Sequence, residues 1–99
     1  MSEILVDLPG WDGKRNLITD MTLFAEDGEQ KVVGRQALPP DAKHARLALT
    51  DGRFSLYVLF TASPNVWYAG IDQAVVPASA AFTIDLDKAT IDDVVVPPP

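Results

Sequence analysis

Ala45-Arg46-Leu47-Ala48-Leu49-Thr50-Asp51-Gly52-Arg53-Phe54-Ser55-Leu56-Tyr57-Val58-Leu59-Phe60 is the stretch that decides the fold. Two alternating runs flank Asp51-Gly52, a dipeptide suited to a two-residue type I′ turn because both residues tolerate positive φ and the turn's twist matches that of the strands. Read as a β-hairpin with Thr50 opposite Arg53, the stretch pairs Leu49 with Phe54, Leu47 with Leu56 and Ala45 with Val58, so one face is wholly apolar. The other face pairs Ala48 with Ser55, Arg46 with Tyr57 and His44 with Leu59. A slip of one residue would mix the two sets.

On the N-terminal side, residues 4–8 form a short apolar run with Asp7 inside it, expected as a first strand at a sheet edge and ended by Pro9. Pro9-Gly10-Trp11-Asp12-Gly13-Lys14-Arg15-Asn16 reads as a loop carrying a tryptophan. Residues 17–25 and 30–38 read as a second hairpin around Asp27-Gly28. Its pairing sets Leu23 against Val32, Met21 against Gly34 and Asp20 against Arg35, with a four-residue loop of Glu26, Asp27, Gly28 and Glu29 preferred because it relaxes the repulsion between the two glutamates. Gly34 inside a strand marks a bulge or a close approach. Pro39-Pro40-Asp41 breaks the strand, and residues 41–46 have room for one helical turn at most.

On the C-terminal side, residues 61–65 are a turn and residues 66–72 a strand with Trp67, Ala69 and Ile71 on one face and Tyr68 and Asp72 on the other. Residues 73–81 contain Pro77 and small side chains, expected as a loop or irregular edge. Phe82, Ile84 and Leu86 alternate with Thr83, Asp85 and Asp87, the pattern of a half-buried strand. A turn at residues 87–90 then leads to a last strand at 91–96. The expected architecture is all-β, a small antiparallel β-sandwich or partly open barrel of about seven to eight short strands. It is one domain over residues 1–96 with a proline tail, 97–99, that favours extended polyproline backbone. Thr50-Asp51-Gly52-Arg53-Phe54-Ser55-Leu56 is similar to the turn-strand segment of transthyretin-like and carboxypeptidase-regulatory-like β-sandwich modules, over too few residues to assign a family.

Length and composition narrow the function classes. Ninety-nine residues hold one core but not a core plus an elaborate cleft. The absence of cysteine removes disulfides, thiolate catalysis and thiolate-bound zinc, and fits a reducing compartment. No segment reads as a signal peptide or membrane span, so no membrane partner is expected. The net charge of −6 is uneven, about −2 through Arg53 and −4 beyond it. That balance opposes binding to phosphate backbones, so nucleic acid is not an expected partner. An acidic surface instead suits a basic protein patch or plain solubility.

The search for chemistry is largely negative. His44 is the single histidine, and the serines at 2, 55, 63 and 79 occur in no nucleophile-elbow context. The glycines match no phosphate-binding spacing. An enzyme is therefore not expected, and neither is a cofactor. Asp85, Asp87, Asp92 and Asp93 would be brought together by a terminal hairpin and could hold a hard cation, but their spacing is not that of an EF-hand loop and alternating aspartates are what a solvent-facing edge strand shows, which is the preferred reading. The aromatic residues Trp11, Tyr57, Trp67 and Tyr68 are the most suggestive set. Trp11 reads either as an exposed anchor or as a cap folded over one end of the core. Tyr57, Leu59, Arg46, Tyr68 and Trp11 are the candidate partner-binding residues, because an aromatic and aliphatic surface with an arginine resembles an interface.

The expected role is a non-enzymatic interaction or structural module, self-associating or bound to a larger protein assembly such as a bacteriophage virion, as a decoration or tail-associated component. The expected location is accordingly cytoplasmic or virion. A carbohydrate-binding module using Trp11 and Tyr68, and an acidic inhibitor of a nucleic-acid enzyme, are the alternatives.

Overall fold

The computed structural model describes residues 2–76 and 81–91. Eight strands occur among them: β1 (Ser2–Asp7), β2 (Asp20–Glu26), β3 (Val32–Leu38), β4 (His44–Leu49), β5 (Gly52–Ala62), β6 (Asn65–Val76), β7 (Ala81–Thr83) and β8 (Thr90–Ile91). They form two sheets, ordered β4-β1-β7 and β3-β2-β5-β6-β8, that pack face to face without closing into a barrel. All pairings are antiparallel except β1 with β7. The expected β-sandwich is present.

The hairpin read across Asp51-Gly52 is not. β4 pairs with β1, while β5 lies between β2 and β6 in the other sheet. The chain at residues 50–51 therefore crosses between layers instead of turning back within one. Ala45, Leu47, Leu49, Phe54, Leu56 and Val58 are nonetheless all buried. Two strands that face each other across a core bury the same alternate residues as two strands side by side, so the alternation is blind to the difference. The cross-strand partners do change: His44 lies opposite Asp7 and Arg46 opposite Leu5, whereas Leu59 lies between Thr22 and Tyr68.

β1 is the centre of its sheet and not an edge. Ile4 and Val6 face the core, and β4 and β7 flank it. The β2–β3 hairpin exists, but with Leu23 opposite Gln36 and Met21 opposite Leu38, four residues from the expected register. An even shift preserves the inward face, which is why Met21, Leu23 and Ala25 are buried as their spacing implies. The loop is wider than four residues: Asp27 Oδ1 accepts hydrogen bonds from the N–H groups of Glu29 and Lys31, at 2.8 and 3.0 Å. A bulge follows at the start of β3, and Gly34 packs against Leu47 and Leu49 of the facing sheet.

β6 runs on through Val76, past the point where a loop is expected. A bulge makes this possible, because Leu56 pairs with Ile71 but Phe54 with Ala74, leaving one extra residue on β6 and Gln73 at φ 64°. The inward set switches from Ala69 and Ile71 to Ala74 and Val76. β7 is only three residues long and gives way to a 3-10 turn, Leu86–Lys88, yet Ile84 and Leu86 are buried as expected. β7 and β8 belong to different sheets and do not pair with each other; the rest of the expected last strand, 92–96, lies outside the described residues.

One polar side chain stands inside this apolar interior. Arg15, at the head of a 3-10 turn (Arg15–Leu17), is only 8% exposed. Its Nε donates to the Gly10 carbonyl at 3.0 Å, Nη1 to the carbonyls of Ala42 and Pro40 at 2.6 and 3.3 Å, and Nη2 to that of Leu8. The guanidinium ties the end of β1, the following loop and the β3–β4 connection into one unit.

Candidate functional site

The five candidate residues do not form one surface. Tyr57, Leu59 and Tyr68 share the outer face of the five-stranded sheet. Arg46 is on the outer face of the opposite sheet, where its Nη1 donates to Glu3 Oε1 at 3.1 Å. Its expected place beside Tyr57 depended on the hairpin that does not form. Trp11 is buried in the core edge to face with Phe60 and Trp67, at centroid distances of 4.9 and 5.3 Å. It is the cap over one end of the core, fastened by its backbone N–H to Asp87 Oδ1 at 2.8 Å.

Around Tyr57 the sheet builds a ladder. Arg35, Phe24, Tyr57 and Gly70 are register partners across β3, β2, β5 and β6. The Arg35 guanidinium lies 5.3 Å from the Phe24 centroid, Phe24 stacks on Tyr57 at 5.1 Å with 16° between planes, and Tyr57 meets Tyr68 at 5.4 Å and 31°. The 4.7–4.9 Å spacing of neighbouring strands sets this stacking distance. Tyr68 is two residues from register with Tyr57 and reaches it by leaning over Gly70: a Cβ there would be 3.0 Å from Tyr68 Oη and 2.7 Å from Tyr57 Cβ. Phe24 and Tyr57 are stacked ring face to ring face, and Tyr68 is tilted against Tyr57 and exposed.

Tyr57 Oη donates to Glu26 Oε2 at 2.8 Å. Glu26, Asp27, Gln30, Ser55, Leu59 and Asp72 complete a shallow depression around the two tyrosines, with Ser55 Oγ bonded to Asp72 Oδ1 at 3.1 Å. Desolvation, then the hydrogen bond and negative charge of Glu26, raise the Tyr57 hydroxyl from 10.0 to about 12. A raised acid favours its neutral form in the folded state, so its contribution to stability is full below pH 10 and is lost as pH rises from 10 to about 12. Ultraviolet titration is expected to show Tyr57 ionising near 12, and Tyr57→Phe to remove that step. A protein whose tyrosines all ionise near 10 would contradict the Glu26 bond.

Phe24, Glu26, Arg35 and Gly70 are the members of this face that sequence reasoning passed over. Phe24 falls out of phase with Met21, Leu23 and Ala25, which marks it as outward facing. Its neighbours were hidden by the register of β3 and by the placement of β5 between β2 and β6.

His44 Nδ1 and Asp7 Oδ1 are 2.7 Å apart on the outer face of the three-stranded sheet, with both side chains well exposed. Asp85 accepts from the nearby N–H of Asp87, and Asp87 accepts from the backbone N–H of Trp11, 76 residues away, so both carboxylates bond backbone N–H groups. Asp92, Asp93 and the proline tail lie outside the described residues. No group of three or more histidine, aspartate or glutamate side chains is placed to share a metal ion among the described residues. No helix of the described chain is long and apolar enough to cross a membrane. No protein-family model matches the chain, and no significant match is found among curated proteins or solved structures.

Proposed function

We propose that this chain is a non-enzymatic interaction module that serves as a subunit of a larger protein assembly, with the outer face of the five-stranded sheet as its working surface. The Arg35-Phe24-Tyr57-Tyr68 ladder carries the reading. Aromatic residues and arginine dominate interface centres, and a row of rings braced against one another loses little conformational freedom when a partner covers it. Leu59, half-buried between Thr22 and Tyr68, adds an aliphatic contact beside the ladder. Tyr57 has a ring on each side, so at that position the ladder favours a protein partner over a stacked sugar. A bacteriophage virion is one assembly that suits the size, acidity and lack of cysteine.

Leu59→Glu places a charge in the middle of this face while leaving the core intact. It is expected to weaken self-association or partner binding at least tenfold, with little change in thermal midpoint. Light scattering coupled to size exclusion, across a concentration series and with candidate partners, reads the effect. A wild type that stays monomeric and captures no partner would overturn the assembly reading.

A further inference from the structure

At the end of the sandwich where β5 turns into β6 lies an open cleft of about 560 Å³, with Trp11, Lys14, Leu17, Ser63, Asn65 and Trp67 in its lining. Its size falls within the roughly 300–1,000 Å³ of small-molecule sites, and its walls follow their pattern of apolar surface with a few polar groups. The two indoles meet edge to face at 5.3 Å, and Leu17 is 55% exposed beside them. The cleft is held in shape by bonds outside it. The Lys14 N–H donates to the Trp11 carbonyl and the Leu17 N–H to the Lys14 carbonyl, both at 2.9 Å, while the neighbouring Arg15 is fixed on its buried carbonyls. A loop tied down in this way loses little freedom when a ligand enters.

The lining also sets the charge of what it can hold. Lys14 is its one charged residue, with Nζ 4.9 Å from the Trp11 ring centroid, and no carboxylate pairs with it among the described residues. Trp67 Nε1 is buried with no acceptor among the described residues. Both groups are donors, and a buried indole N–H left unpaired costs the desolvation of a donor and calls for an oxygen close by. An anionic oxygen answers both groups, whereas a cation would meet Lys14 with nothing to offset the repulsion.

We propose that the Trp11–Trp67 cleft binds a small monocarboxylate with an apolar body, its ring or chain against Leu17 and the indoles and its carboxylate on the Lys14 ammonium. Such a molecule divides as the lining does, into an apolar part and one acceptor group. The site shares no lining residue with the tyrosine face, so the two readings stand or fall separately.

Phenylbutyrate and its neutral counterpart phenylbutanol, titrated into the isotope-labelled full chain, are the probes. Both tryptophans of the chain line the cleft, so their indole resonances read it directly. The acid is expected to shift both resonances saturably, and the alcohol to bind roughly tenfold more weakly, the worth of one charge-assisted hydrogen bond. Added salt is expected to weaken the acid alone. Lys14→Gln is expected to erase the difference between the two probes while the remaining amide spectrum stays unchanged, and Lys14→Arg to keep it. Equal affinities for acid and alcohol in the wild type, or a preference that survives Lys14→Gln, would overturn anion recognition by Lys14. Absence of saturable indole shifts with either probe would overturn the site altogether. Indole shifts that follow protein dilution with no probe present would give the cleft to a second copy of the chain instead.

Discussion

Arg15→Ala is expected to lower the unfolding free energy by about 3 to 5 kcal/mol, the largest effect of any single polar substitution in this chain. The guanidinium satisfies the carbonyls of Gly10, Ala42, Pro40 and Leu8 at once, and it is buried among them. Removing it strands several acceptors in a site with little access to water, each costing on the order of 1–3 kcal/mol. A domain of this size holds only about 5–15 kcal/mol in total, and the expected loss corresponds to a fall in thermal midpoint of roughly 15 to 30 °C. Arg15→Lys is expected to recover less than half, because one ammonium cannot reach acceptors arranged around a planar fork. Urea denaturation measures the loss, with Arg46→Ala as the comparison. Among the described residues Arg46 bonds only to the exposed Glu3, and its removal is expected to fall within experimental error. A loss below about 1 kcal/mol for Arg15→Ala would show that the tie between β1, the loop and the β3–β4 connection is dispensable.

Gly70→Ala is expected to destabilise by about 1 to 3 kcal/mol and to reduce the near-ultraviolet circular dichroism of the tyrosine face. The sign is the informative part. Glycine within a strand is ordinarily a weak choice, so alanine in open space would stabilise slightly. At Gly70 the added Cβ would stand 2.7 Å from Tyr57 Cβ and 2.9 Å from the Leu56 carbonyl oxygen, neither of which can swing aside. The sheet must part locally or Tyr57 must leave its place between Phe24 and Tyr68. Gly28→Ala, where nothing lies within 4 Å, serves as the control. A neutral or stabilising Gly70→Ala with unchanged aromatic dichroism would contradict the close packing described for Tyr57, Gly70 and Tyr68.

The site was legible in part. Tyr57, Leu59 and Tyr68 can be placed outside the core from their phase against Leu56, Val58, Phe60 and Ala69, and they are there. Trp11 and Arg46 could not be placed, for different reasons. Trp11 sits in a loop with φ 57°, where no periodicity tells inside from outside, and the Asp87 carboxylate that holds its backbone is 76 residues away. Arg46 is outward as its phase requires, but outward from the other sheet.

That difference marks what belonged to the sequence alone. Alternation with period two names the buried residues of each strand, because side chains on a pleated backbone point to opposite faces whatever lies beside it. Ala45, Leu47, Leu49, Phe54, Leu56 and Val58 are buried for that reason alone. Which strand lies beside which was decided by the tertiary structure. β4 finds β1, and β5 finds β2 and β6, since hydrogen-bonded pairing is made by backbone groups that every residue carries and that no short pattern distinguishes. The choice between a hairpin and a crossing between layers at Asp51-Gly52 rests on which arrangement covers all eight strands' apolar faces at once, a condition that exists only when the whole chain is packed.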